Sequence, residues 1–262
     1  MKKVAIVIPR YREKLTTSEK QSYKHLIHYL NEYDKYWLMP DNLKLEKVDT
    51  QGLKQNFKSI KLPAKHFEGV KTYSKLLLIQ NFYKLFSDYQ YILIYQLDAL
   101  VFKNELKYWC DQNYDYIGAP LLNSKIGWLT HPQGKQNAVG NGGLSLRKVS
   151  SFIKVLDQAK QSLNKPNNKD QLLNFWLKTI GLRTRKKWLT NIENYPFNED
   201  GFWSFEAIKY WPKFKVPSVK TALKFAFETQ PQICYQLNEK QLPFGCHAWV
   251  KYNKKIWKPF LL

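Results

Sequence analysis

Tyr91-Ile92-Leu93-Ile94-Tyr95-Gln96-Leu97-Asp98-Ala99-Leu100-Val101-Phe102 is the stretch whose reading decides the fold. β-Branched and aromatic residues crowd it, with a single carboxylate, Asp98. A run without polar alternation reads as a strand buried on both faces, the pattern of a parallel sheet. Burying Asp98 among apolar flanks is costly unless its charge is compensated. In open α/β sheets, ligands bind just beyond the carboxyl ends of the strands. Asp98 is placed there to hold a divalent cation; the alternative is a strand-end Asp that caps a turn.

Toward the N-terminus, residues 72–86 read as a helix, with Leu76, Leu77, Ile79, Tyr83 and Phe86 on a broad apolar face. Residues 57–62 and 36–39 read as short strands. Thr17 or Ser18 caps a helix running to about Leu30, with Leu26, Ile27 and Leu30 inward. Val4 to Ile8 form a first buried strand, stopped by Pro9. The loop after a first strand is a common nucleotide site. Pro9, Arg10 and Tyr11 are therefore candidate nucleotide contacts, and Arg10 or Arg12 a phosphate partner; the alternative is solvated loop cations. Alternating β and α segments predict an α/β fold, a mostly parallel sheet flanked by helices.

Toward the C-terminus the pattern loosens. Residues 106–110 predict a helical turn and 114–120 a strand with its exit. Residues 123–139, with Trp128 among them, read as a long loop, and Trp128 is a candidate sugar platform or a core residue. Gly140-Asn141-Gly142-Gly143 marks a backbone that bends sharply or approaches something closely. A strand at Leu144 and Leu146 and a helix over 151–162 follow, then a polar, exposed stretch at 165–169. Asn198-Glu199-Asp200 precedes an aromatic helix ending before Pro212. Residues 216–227 read as a strand or loop followed by a helix. Near the end, Gly245-Cys246-His247-Ala248-Trp249 sets one His among Gly and aromatics.

Composition bounds the function. The 262 residues hold 42 Lys plus Arg against 21 Asp plus Glu, a net charge of +21. Such a field attracts polyanions. Scattered Lys, rather than clustered Arg, supplies most of it, and no zinc-finger, RNA-binding or helix-turn-helix pattern accompanies it, so nucleic acid is not an expected partner. Cys110, Cys234 and Cys246 are too few and too far apart for a disulfide framework and fit a reducing compartment. The apolar run at Val4 is too short for a signal sequence, and no run is long enough to span a membrane. A cytoplasmic protein is expected, with peripheral contact at the inner face of the cell membrane. No linker divides the chain. One domain over 1–262 is expected.

The order of these features resembles that of GT-A-type glycosyltransferases, which use nucleotide-diphosphate sugars. Five phrases resemble the family DUF5672 more closely. They are Ile94-Tyr95-Gln96-Leu97-Asp98-Ala99, Tyr114-Asp115-Tyr116-Ile117-Gly118-Ala119-Pro120, Val139 through Arg147, Asn198-Glu199-Asp200, and Pro243-Phe244-Gly245-Cys246-His247-Ala248-Trp249. The resemblance implies a metal-dependent, inverting glycosyltransferase of GT-A fold, with a nucleotide-binding half at about 1–120 and a donor-sugar and acceptor half at about 121–262. Asp98 aligns with the last carboxylate of the Asp-x-Asp motif, and His247 with a late His that completes a Mn²⁺ or Mg²⁺ site. Gln96 stands where the first Asp is usual, so diphosphate oxygens would supply much of the coordination. Gln96 and Leu97 join Asp98 as donor contacts, as do Gly140, Asn141, Gly142 and Gly143. Asp200 aligns with the catalytic base of inverting members, and Glu199 would bond the acceptor or orient Asp200. The implied partners are a UDP-sugar and a glycan or lipid-linked glycan acceptor, in synthesis of a bacterial surface polysaccharide such as capsule or lipopolysaccharide.

Overall fold

The structure is a computed structural model that describes residues 1–44, 57–121, 138–164, 192 and 195–262. Trp128, most of the 123–139 loop and the 165–169 stretch lie outside the described residues. The elements are β1 (Lys2–Pro9), α1 (Thr17–Leu30), β2 (Asp34–Pro40), β3 (Lys58–Leu62), α2 (Val70–Leu76), α3 (Gln80–Lys84), β4 (Tyr89–Tyr95), β5 (Leu100–Val101), α4 (Leu106–Asp111), β6 (Tyr116–Ile117), β7 (Pro120–Leu121), β8 (Ala138–Val139), β9 (Leu144–Lys148) and α5 (Val149–Asn164). Then come α6 (Glu199–Gly201), a π-helical turn (Phe202–Glu206), α7 (Ala207–Tyr210), α8 (Val219–Phe225), β10 (Ala226–Phe227), α9 (Pro231–Leu237), β11 (Gly245–Cys246) and α10 (Lys254–Trp257).

A six-stranded sheet in the order β3-β2-β1-β4-β9-β6 forms the centre. The first four strands are parallel; β9 runs antiparallel to both β4 and β6. Side chains alternate across the pleat. Val4, Ile6, Ile8, Leu93 and Tyr95 enter one core, under α1 and α4. Ala5, Val7, Ile92 and Ile94 enter the other, under α2, α3 and α5. With both faces covered, neither set can be polar, which is why β1 and β4 read as unbroken apolar runs. A third, smaller core gathers Leu100, Phe227, Cys246, Trp249 and Trp257.

Several boundaries differ from the sequence reading. Thr16, not Thr17 or Ser18, caps α1. Its hydroxyl accepts the Glu19 amide at 3.2 Å while Glu19 accepts the Thr16 amide at 2.7 Å. Glu at the third helical position selects Thr16 through this reciprocal pair. The helix expected over 72–86 is two helices, broken at Leu77 to Ile79. Leu76, Leu77 and Leu78 are all buried. Three successive residues point around most of a helical turn, so an unbroken helix would expose one of them. The 91–102 run is also broken. β4 stops at Tyr95, and a turn closed by the Ala99 amide on the Gln96 carbonyl (2.9 Å) delivers the chain to β5 in another sheet. In the 216–227 segment the order is helix first, then strand. Ser218 caps α8, accepting the Thr221 amide at 3.3 Å.

Candidate active site

A small sheet in the order β10-β11-β5 assembles the site. Cys246 pairs antiparallel with Leu100, and Phe227 pairs parallel with Cys246. His247 follows Cys246, Glu228 follows Phe227, and Asp98 lies two residues before Leu100. The three registers therefore deliver all three side chains to one edge. Backbone bonds fix them there: the His247 amide donates to the Phe227 carbonyl at 2.9 Å, and the Trp249 amide to the Asp98 carbonyl at 3.2 Å.

The His247 imidazole is the hub. Its Nε2 lies 3.1 Å from Asp98 Oδ1 and 3.2 Å from Gln96 Oε1. Its Nδ1 lies 2.9 Å from Glu228 Oε1 and 3.2 Å from Asn141 Nδ2. Burial works to lower the His247 pKa, but bonds to Asp98 and Glu228 outweigh it and hold the value up at about 10. Burial likewise works to raise the Asp98 pKa, and the His247 bond and charge bring it below the usual carboxylate value. Half of the Asp98 side chain remains exposed, at 49%. Glu228 has no counterpart in the sequence reading. One carboxylate after a two-residue strand leaves no periodic or motif signal to find.

The Gly loop reaches this hub because β9 is antiparallel to β4. Leu144, the first residue of β9, pairs with Tyr95, the last of β4. The residues just before Leu144 are thereby laid against those just after Tyr95, and the Gln96 amide donates to the Gly143 carbonyl at 2.8 Å. Asn141 holds the bend: its Oδ1 accepts the Gly143 amide at 2.6 Å and the Leu144 amide at 3.0 Å. The sequence reading gave the glycines to an approaching ligand. The structure shows a nearer reason for two of them. A Cβ on Gly143 would stand 1.9 Å from His247 Nε2, and one on Gly142 would stand 2.7 Å from Glu199 Oε1. Gly143→Ala should therefore push the imidazole from its four polar partners and cost about 1–3 kcal/mol as overpacking. Urea denaturation checks this; an unchanged midpoint would mean the imidazole is free to move.

Adjacent Gly142 and Gly143 thus touch Glu199 and His247, so the Glu199-Asp200 pair stands beside the hub. The two acids have different environments. Glu199 Oε1 accepts from Arg147 Nη2 at 2.9 Å, and both side chains are almost wholly buried. Arg147 also donates to Ser145 Oγ at 3.0 Å and to the Tyr83 hydroxyl at 3.0 Å. Glu199 is thus occupied by a buried cation, a placement the sequence reading did not foresee. Asp200 has no such partner among the described residues; its Oδ1 accepts the Gly201 amide at 2.9 Å. Burial, then repulsion from Glu199 and Glu228, push its pKa up to about 7. The π-helical turn after it places Ser204 within reach of the Val139 and Asp200 carbonyls, which ties the acid to the Gly loop.

A cleft of about 560 Å³ opens beyond the ends of β1 and β4. Pro9, Tyr11, Arg12, Gln96, Leu97 and Asp98 line it, matching the expected loop and strand end. That volume suits a small-molecule ligand. Arg10 does not line it. Its guanidinium is buried, donates to the Arg12 and Glu13 carbonyls, and lies over the Trp37 ring at 5.0 Å. The side chain shapes the loop, and of the two candidate phosphate partners it is Arg12 that stands at the cleft wall.

Among the described residues no three His, Cys, Asp or Glu side chains form a metal cage. The donors that do converge are one carboxylate, one imidazole and one amide oxygen. Neighbouring ligands of an octahedral ion with bonds of about 2.1 Å stand about 3 Å apart. The 3.1 and 3.2 Å separations of Asp98 and Gln96 from His247 Nε2 fit that edge. A Mn²⁺ or Mg²⁺ ion fits this set with its remaining positions left to another ligand.

Residues 56–247 match the model of a family described as "Protein of unknown function (DUF5672)". Among solved structures, a galactosyltransferase, LgtC, in complex with donor and acceptor sugar analogs matches with a TM-score of 0.50 at 11% identity, over 93% of this chain and 86% of that one. A glycosyltransferase involved in the glycosylation of the major capsid of PBCV-1 matches at 12% identity and a TM-score of 0.46, over 94% and 93%. The apo-form glycosyltransferase GlyE of Streptococcus pneumoniae matches at 12% identity and a TM-score of 0.49, over 98% and 60%. The likeness to LgtC shows the fold, that of GT-A glycosyltransferases. No curated protein matches the chain.

Proposed function

The chain belongs to the DUF5672 family, and from that membership, its GT-A fold and the site above we propose that it is a metal-dependent, inverting glycosyltransferase. It would move a sugar from a nucleoside-diphosphate sugar, a UDP-sugar first among them, to a glycan hydroxyl. The observation that carries the proposal is Asp98 Oδ1 at 3.1 Å from His247 Nε2, at the mouth of a cleft lined by Tyr11 and Arg12. Asp98, His247 and the Gln96 amide oxygen would hold the ion. When bound, Mn²⁺ or Mg²⁺ supplies Lewis-acid stabilisation of the departing diphosphate. Tyr11, 54% exposed, offers a flat face for the base, and Arg12 a cation for phosphate. Asp200, unpaired and poised near neutrality, would take the proton of the acceptor hydroxyl as the new bond forms. The basic surface suits a lipid-linked acceptor at an anionic membrane, in surface-polysaccharide synthesis.

The test is a thermal-shift panel of nucleotide sugars with and without Mn²⁺, read beside release of nucleoside diphosphate. A ligand that binds only the folded state raises the melting temperature. At least one donor should do so, more strongly with Mn²⁺, and should be turned over. Gln96, neutral where an acid is usual, favours a second reading, a binding module without catalysis. That module would show the shift and no turnover. No shift with any nucleotide sugar would overturn both.

A further inference from the structure

We infer that Glu228 is a positioning residue that sets the tautomer of His247 and so presents its Nε2 lone pair to the metal. This rests on the proposed metal-dependent function and extends it to a residue outside the ion's own ligand set.

Two groups compete for His247 Nδ1. Asn141 Nδ2 is 3.2 Å away and Glu228 Oε1 is 2.9 Å away. The Asn141 amide cannot turn over, because its Oδ1 accepts the Gly143 and Leu144 backbone amides. It therefore offers Nδ1 only a hydrogen-bond donor, which favours a neutral imidazole with its proton on Nε2. A proton on Nε2 would block metal binding. Glu228 offers Nδ1 an acceptor, which favours the opposite tautomer. Its contact is the shorter one and is charge-assisted, so it prevails. The proton on Nδ1 is thereby held, so the proton an incoming ion displaces is the one on Nε2, and the lone pair left there faces the ion between Asp98 and Gln96. Carboxylates behind metal-bound imidazoles act in this way, and losing one costs about 10–100-fold in metal affinity. The parallel pairing of Phe227 with Cys246 keeps Glu228 beside His247.

The experiment measures Mn²⁺ affinity by electron paramagnetic resonance, with UDP present, on the full chain. Glu228→Ala should weaken Mn²⁺ binding by about 10–100-fold, because Asn141 then captures Nδ1. Adding Asn141→Asp should restore much of that loss. The new carboxylate keeps one oxygen for the two backbone amides and turns the other, an acceptor, toward Nδ1. Glu228→Gln keeps an acceptor without the charge and should fall between wild type and the Ala variant; it also serves if the Ala variant does not fold. In turnover assays the Ala variant should need more Mn²⁺ and recover at excess Mn²⁺, which a general packing defect would not do. Unchanged Mn²⁺ affinity in the Ala and Gln variants would overturn the inference alone. A wild-type protein that binds no Mn²⁺ with UDP would overturn the metal-dependent function and this inference with it.

Discussion

Asp200→Asn should lower turnover by about 10²–10⁴-fold, the range for losing a general base, while Mn²⁺-dependent nucleotide binding stays intact. The reason is the division between neighbouring acids. Glu199 is engaged by the buried Arg147 guanidinium, whereas Asp200 has no cation beside it among the described residues and its pKa is raised to about 7. A base must be deprotonated to act, so the wild-type turnover rate should fall as pH drops below about 7 and level off above it. Stability should move the other way. The folded pKa lies above the unfolded one, near 4. The folded state therefore binds more protons between those values, and this group's contribution makes the protein less stable as pH rises from about 4 to 7. Asn carries no charge, so the variant should unfold at a higher temperature than wild type at pH 8, with the difference shrinking in acid. Near-wild-type turnover in the Asn variant would move the base elsewhere. An inactive variant without the stability gain at pH 8 would mean that Asp200 is better solvated than its burial implies.

Arg147→Met should destabilise the fold by about 3–5 kcal/mol, the cost of leaving one partner of a buried ion pair alone. Arg147 is wholly buried and has no other anion among the described residues; its remaining bonds go to Ser145, Tyr83 and the Gly142 carbonyl. Without it, Glu199 must protonate or take in water. For a chain of this size the loss corresponds to about 2–4 °C of melting temperature per kcal/mol. The double variant Arg147→Met, Glu199→Met should recover much of the loss, because a buried pair replaced as a whole by apolar side chains is often tolerated. A double-mutant cycle by urea denaturation measures the coupling. Strictly additive single effects would show that the two charges do not depend on each other. The pair also feeds the chemistry: repulsion from Glu199 is one source of the raised Asp200 pKa. In the Arg147 variant, an uncompensated Glu199 charge would shift the turnover profile toward higher pH, whereas a protonated Glu199 would shift it lower.

The local pattern of the chain was enough to determine the sheet centre and to single out Asp98 and His247 as candidates. β1 and β4 are apolar at successive positions because both faces are covered, and burial leaves that mark on composition whatever the pairing partner. Asp98 and His247 stood out because chemistry-bearing residues stand at the ends of such segments, and the fold brings them to 3.1 Å. Glu228, the pairing of Glu199 with Arg147, and the inward turn of Arg10 were not legible. Each depends on which strand lies beside which, and in what direction. β5, β10 and β11 are two residues long, too short for any alternation to register. The direction of β9 changes no residue's burial, yet it alone lays the Gly loop against Gln96. Sequence records burial; only the tertiary pairing decides which charges meet, because the partners come from separate segments, Glu199 and Arg147 lying 52 residues apart along the chain and Glu228 and His247 lying 19.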